Sequence, residues 1–324
     1  MNRNIMRSAA LRLFAAVILI LSAQAAGFAR TTDQAKIQEF VAAYQYDHSL
    51  PLNVTIEQQE DNSAYTVYRL EYDSLNGERI PALLHIPKGA EGKMPCVISM
   101  HGYGMDKSGA GMFAGMLVPR GYAMIAIDAQ YHGDRVEEGK DIFSTDIDSD
   151  VIALKQTVID LRRAVDYLET RDDIDAARIG YTGMSMGGFL GSIFMGVEPR
   201  VKTAVLVVAG GDWEKLIPLS QVSCFVKMRE WMSNGGLPLG EISARMQIVD
   251  PVNFIGMASP RPILFLNSDR DTYVPKPTTE ALFEAAGEPK KIAWYTPIDA
   301  NGHIPQPGKV SKNMVKWFEH FLKK

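Results

Sequence analysis

The chain is poor in the residues that build metal centres and disulfide frameworks. Its 324 residues include only two cysteines, Cys96 and Cys224, and six histidines. Two thiols do not make a disulfide scaffold, and neither has a neighbouring histidine that would mark a reactive thiolate. Cys96 lies within the apolar run PCVISM, and both cysteines are read as buried free thiols. H-E-x-x-H and C-x-x-C are both missing, so neither a metal nor another cofactor is expected. The net charge is −4, and no lysine- or arginine-rich block breaks the body of the chain. That excludes the clustered basic surface that nucleic-acid binding requires. Internal repeats and low-complexity stretches are also missing. What is abundant is hydrophobic residue, 46% of the chain, which suits a soluble globular protein with a large core.

The N-terminus stands apart. Arg3, Arg7 and Arg12 precede LFAAVILIL, residues 13–21, and SAQAAGFAR follows. A positive n-region, an apolar h-region and a small-residue cleavage zone make a signal peptide. Ala23-Gln24-Ala25 and Gly27-Phe28-Ala29 both fit the cleavage pattern. The apolar run is short for a membrane span, which takes about 20 residues. Residues 1–29 are therefore expected to be removed on export, to the periplasm or the medium, with no stable membrane insertion afterwards.

Residues 30–60 are polar and mixed, and their role is open from sequence. From Tyr65 the pattern sharpens. AYTVYRLEYD and ERIPALLHIP flank a turn at Asn76-Gly77, a hairpin signal. Short, nearly all-apolar runs follow: PCVISM, AMIAID, ARIGYTG, AVLVVAG, PILFLNSD and IAWYTP. Such runs suit parallel strands covered on both faces. Helical stretches lie between them. In the clearest, about Asp150 to Thr170, Val151, Leu154, Val158, Leu161, Val165 and Leu168 share one face, and Lys155, Arg162 and Asp166 mark the polar one. The alternation predicts an α/β fold, a mostly parallel doubly wound sheet with helices on both faces and an antiparallel hairpin in front. Residues 61–324 are expected to form one domain, with about 211–256 as a small lid or cap insertion.

One constellation carries chemistry. Gly183-Met184-Ser185-Met186-Gly187 fits G-x-S-x-G, with a strand-like run before it and a helix-like run after it. That is the context of a nucleophile elbow, where small neighbours let a strained serine project its hydroxyl. The N–H of Met186 then starts a helix and faces a developing oxyanion. G-x-G-x-x-G fails here, and the Walker lysine is missing. A serine hydroxyl needs a base. His303, in Asn301-Gly302-His303 after the last strand, is placed for that role. His48, His85, His132 and His320 are placed less well. A carboxylate must orient the imidazole. Asp269 and Asp271 both follow a strand; Asp271, deeper in the loop, is preferred. The loop His101-Gly102-Tyr103-Gly104 offers the N–H of Tyr103 as a second oxyanion donor.

From about Tyr65 to its end the chain resembles the α/β-hydrolase superfamily. ERIPALLHIPKG, PCVISMHGYG, AIDAQYHGDR, DIDAARIGYTGMSMGG, DRDTYVP and NGHIP carry the resemblance, in that order. It is closest to dienelactone-hydrolase-like proteins, acetyl xylan esterases and the catalytic domains of prolyl oligopeptidases. The resemblance implies Ser185, Asp271 and His303 as a triad, with the backbone N–H groups of Tyr103 and Met186 as the oxyanion hole. Dienelactone hydrolases place cysteine where Ser185 stands, and this chain has no room for the propeller of prolyl oligopeptidases. The function expected is an exported serine hydrolase of carboxylic esters, with small-molecule esters, acetylated carbohydrates among them, as substrates. The alternatives are a peptidase or acyltransferase on the same triad, or a non-catalytic binding protein of the same fold. AQYHGDR is taken as a structural match, with no chemistry given to His132 or Asp134. Tyr44, Tyr46, Trp213 and Trp231 are read as packing residues before sugar-stacking platforms.

Overall fold

Residues 33–323 are described by the computed structural model; the expected signal peptide, residues 1–29, lies outside the described residues. Along the chain come α1 (Gln34–Ala42), β1 (Thr55–Asp61), β2 (Tyr65–Asp73), β3 (Arg79–Pro87) and β4 (Met94–Met100). Next are α2 (Gly111–Leu117), β5 (Ala123–Ile127), α3 (Ile147–Glu169), β6 (Ile174–Met184), α4 (Met186–Val197) and β7 (Thr203–Val207). The remainder is α5 (Trp213–Leu219), α6 (Ser223–Ser233), α7 (Leu239–Met246), β8 (Ile263–Ser268), α8 (Lys276–Ala285), β9 (Lys290–Tyr295) and α9 (Pro307–Leu322). The strands form one sheet in the order β1-β2-β3-β5-β4-β6-β7-β8-β9. Pairing is antiparallel from β1 through β2 and β3 to β5, and parallel from β5 to β9.

The predicted doubly wound sheet is present, and its burial explains the apolar runs. Cys96, Ile98 and Met100 of β4 face a core shared with Leu161 and Val165 of α3 and Leu190 and Phe194 of α4. Val97, between them, faces Phe113 and Leu117 of α2 and Met314 and Phe318 of α9. In β7, Ala204 and Leu206 take the first face, Val205 and Val207 the second. A strand buried on both sides has no polar positions to alternate. The hairpin turns at Asn76 and Gly77, with φ of 57° and 78°, both in the left-handed region. β1 carries no apolar signal because every residue of TIEQQED is exposed; its backbone pairs with β2.

The segment before β1 is built into the same body. Phe40 and Tyr44 are buried against Phe254, and the Tyr44 hydroxyl donates to the Ile248 carbonyl at 2.7 Å. The chain then crosses α3. Arg162 donates to the Tyr44 carbonyl, and Arg163 donates to the carbonyls of Leu50 and Pro51. Tyr46 and His48 bond Asp166 at 2.7 and 2.9 Å. Arg162 and Asp166, expected on a polar face, are therefore buried. Their charges are met by Glu198 and by Arg163 and Arg200, which offsets the penalty of leaving water. Tyr44 and Trp213 are fully enclosed, and Tyr46 is tied to Asp166, as packing residues; Trp231 is half-buried.

Residues 211–256 hold α5, α6 and α7 together with short 3-10 turns, between β7 and β8. The carboxylate of Asp250 accepts from the N–H groups of Asp212 and Trp213 at 2.9 and 3.1 Å, joining the two ends of this segment. Burial pushes the Asp250 carboxyl up to about 6. Trp213 packs on Phe189 of α4, on Phe143 and on Phe225. Cys96 and Cys224 are buried and unbridged, and burial pushes the Cys224 thiol up to about 12. Among the described residues no helix is long and apolar enough to cross a membrane.

Candidate active site

Ser185 stands at the turn from β6 into α4 with φ 56° and ψ −116°. For a residue with a Cβ this is a strained backbone. The surroundings hold it there. The Ser185 N–H donates to the Val207 carbonyl at 2.9 Å, fastening the turn to the end of β7. A Cβ on Gly183 would lie 2.3 Å from the Gly187 carbonyl oxygen, so strand and helix meet only because that position is glycine. Met186 opens α4, where the first N–H groups have no carbonyl of their own helix to bond.

His303, in the loop between β9 and α9, is buried at 9% exposure. Its Nδ1 lies 2.8 Å from Oδ2 of Asp271. Oδ1 of Asp271 accepts the N–H groups of Tyr273 and Val274 at 2.8 and 2.9 Å. The carboxylate is thus anchored by one oxygen and engages the imidazole with the other. Asp269, two residues earlier, is exposed beside Arg270. The two loops touch backbone to backbone. Thr272 N–H donates to the Asn301 carbonyl at 2.9 Å, and Gly302 has φ +73°. A Cβ on Gly302 would sit 2.0 Å from the Arg270 carbonyl oxygen. Met184 and Ile304, the chain neighbours of Ser185 and His303, line one cleft with Phe113, Met116 and Pro305. The elbow and the histidine loop therefore meet at the same end of the sheet.

The loop after β4 closes the site from the other side. A Cβ on Gly102 would lie 3.7 Å from the Cβ of Ser185. The Tyr103 hydroxyl donates to Oδ2 of Asp141 at 2.5 Å, so its ring is held in place. His101 Nδ1 donates to the Gly102 carbonyl at 2.8 Å, and its Nε2 accepts the Ala129 N–H at 3.1 Å. Of the other histidines, His48 pairs with Asp166 and His85 sits in β3. Sequence reasoning named His101 and His132 without giving either a role, and missed Asp141; the contacts that tie them to this loop, to the N–H groups of Ala129 and Gly104 and to the Tyr103 hydroxyl, join residues distant in the chain, and spacing carries no sign of them. Among the described residues no group of three or more His, Cys, Asp or Glu is placed to hold a metal ion.

Burial lowers His101 from the ordinary histidine value to about 4. At neutral pH the folded and unfolded states are both neutral at this site. Below about 6.5 the unfolded chain binds a proton that the folded protein refuses, so stability falls as pH drops from about 6.5 to about 4. The total loss is about 3 kcal/mol, at about 1.4 kcal/mol per pH unit. Urea unfolding at pH 7 and pH 4.5 should show the wild type losing more stability than His101→Gln, and equal losses would remove the assignment.

Comparisons with known proteins bear on the fold and the family. The profile of the family described as acetyl xylan esterase (AXE1) matches residues 38–321. The acetyl xylan esterase from Paenibacillus sp. R4 superposes with a TM-score of 0.76 at 23% identity, over 90% of this chain and 96% of that one. Acetyl xylan esterase 1 from Thermoanaerobacterium sp. JW/SL YS485 gives 0.73 at 20% identity, over 90% and 94%. At these identities the likeness establishes the α/β-hydrolase fold. The "Putative hydrolase YtaP" of Bacillus subtilis (strain 168) is 30% identical over 177 residues, half of this chain. The chain spans only 58% of that relative's length. The family match, residues 38–321, runs from within α1 into α9 and takes in the Ser185 turn, both loops and residues 211–256, so the chain belongs to the acetyl xylan esterase family.

Proposed function

We propose that the protein is an exported serine esterase that removes short acyl groups, acetyl above all, from the hydroxyls of carbohydrates. The observation that carries this reading is the pairing of His303 Nδ1 with Asp271 at 2.8 Å. With Nδ1 engaged, Nε2 is the nitrogen left to act as base. It takes the proton of the Ser185 hydroxyl as Oγ attacks the ester carbonyl. The tetrahedral oxyanion is met by the N–H groups of Tyr103 and Met186. The imidazolium then protonates the departing alcohol, and the acyl group remains on Oγ. Water, deprotonated by the same Nε2, attacks the acyl-enzyme; the imidazolium then returns that proton to Oγ as the Oγ–acyl bond breaks, releasing the acid and free Ser185. Asp271 keeps the imidazole in the required tautomer and balances its charge.

Preference for a short acyl group is supported by a crowded wall. Tyr103, Phe143, Trp213, Phe189 and Phe225 form one ring cluster between the oxyanion loop and α4, with neighbouring centroids 5.2–6.3 Å apart. Each ring apart from Tyr103 is buried; we infer that the acyl group is received against this wall, where a long chain would have to displace packed rings. Carbohydrate acetates are supported as substrates by the description of the family and by the names of two solved structures that this chain resembles. Export is supported by the charge and hydropathy of residues 1–29.

A fluorophosphonate probe is expected to label the wild type and not Ser185→Ala; equal labelling of both overturns the serine mechanism. In an ester panel, acetyl should be favoured over hexanoyl by at least about 10-fold in kcat/KM. A preference for the longer acyl group would overturn the short-acyl assignment.

A further inference from the structure

Resting on the serine-esterase reading, we propose that His132 is a positioning residue that sets the direction of the Tyr103 N–H through its grip on Gly104. The sequence offers no reason to couple them; they lie 28 positions apart at Gly104 and His132. The structure brings the Gly104 N–H to 3.1 Å from Nε2 of His132, and His132 is buried at 6% exposure. A backbone N–H can only donate, so Nε2 carries the lone pair. Nδ1 then carries the proton and donates to the Gln130 carbonyl at 2.9 Å.

The peptide plane is rigid, and this makes the contact consequential. The Tyr103 N–H shares a plane with the Gly102 carbonyl. That carbonyl accepts from His101 Nδ1 at 2.8 Å and from the Met105 N–H at 3.2 Å, which aims the plane from one side. The next plane ends in the Gly104 N–H, and His132 holds it. With both planes held, the φ and ψ of Tyr103 are set. Gly104 has φ +72° and no Cβ, so little else restrains the second plane.

His132 has a firm base from which to act. The Gln130 N–H donates to Oγ1 of Thr157 on α3 at 3.1 Å. Lys107 Nζ bonds the buried Asp128 at 2.6 Å and cross-links the same two loops. The His132 ring also meets the Tyr103 ring edge-on at 5.6 Å. His132 itself touches no reacting atom in this scheme; it acts through Gly104 and Tyr103.

The test is steady-state kinetics on acetyl esters, with enzyme concentration set by fluorophosphonate titration of Ser185. His132→Leu keeps bulk and removes the acceptor. Its kcat should fall about 10- to 100-fold, within the range for weakening an oxyanion donor, with KM changed less than about twofold. His132→Gln, which returns an acceptor near Nε2, should recover most of the loss. Unchanged kcat in His132→Leu, or no recovery in His132→Gln, overturns the proposal. If His132→Leu does not fold, nitrogen NMR of the histidine-labelled wild type decides: the Nδ1–H tautomer of His132 supports the proposal and the Nε2–H tautomer overturns it. A wild type that neither takes the probe nor turns over esters would instead overturn the serine-esterase reading.

Discussion

Replacing His303 by alanine is expected to lower kcat on acetyl esters by about 10⁵-fold, with KM little changed. The physical reason is specific to this site. In the proposed mechanism His303 is the base, carried on a loop whose backbone is fastened to the Asp271 loop through the Thr272 N–H and the close approach of Gly302. Without the imidazole, Ser185 has no acceptor for its proton, while the surfaces that bind substrate remain. Asp271→Asn should be nearly as harmful, about 10⁴-fold. An amide that presents NH₂ to Nδ1 stabilises the wrong tautomer and leaves Nε2 protonated. The double variant should be no worse than His303→Ala alone, because a base that is gone cannot be misoriented. Losses that multiply in the double variant would mean that the two residues act separately, contrary to the 2.8 Å contact.

Gly187→Ala is expected to destabilise the protein strongly, by about 3 kcal/mol or more. A Cβ there would lie 2.3 Å from the Met100 carbonyl oxygen and 2.8 Å from that of His101. Both atoms are backbone at the end of β4, so no side chain can rotate away. α4 would have to lift off the sheet, and the Ser185 turn would lift with it. Gly115→Ala in α2 is the control, since its Cβ would meet nothing within 4 Å. There alanine should be neutral or slightly stabilising, as expected from helix propensity. In urea unfolding the Gly187 variant should show a clearly lower midpoint and the Gly115 variant should not. Matching midpoints would mean that the packing of α4 on β4 tolerates a methyl group.

The site was legible in the sequence to the extent that its chemistry is local. Ser185 sits in five consecutive residues whose glycines answer to contacts within the motif or with the adjoining strand. His303 follows the last strand of the sheet, where chain order alone limits the choices. The apolar runs announced the parallel strands because those strands are covered on both faces. β1 was not legible, since it buries no face and consists of backbone pairing. Asp269 and Asp271 could be ranked but not separated by sequence, being two residues apart in one loop; in the structure Asp271 takes the N–H groups of Tyr273 and Val274 and bonds His303, while Asp269 is exposed.

The amino-acid sequence by itself determined the fold class, the serine and histidine of the candidate site, and the family resemblance, because each depends on short patterns and their order. Tertiary structure alone decided how the segment before β1 is used, why Arg162 and Asp166 are buried, and which atoms hold the Tyr103 loop. These depend on contacts between parts of the chain that are far apart in number. His132 shows the difference most clearly: its partner is a backbone N–H, which every residue but proline possesses, and only folding determines which N–H that is.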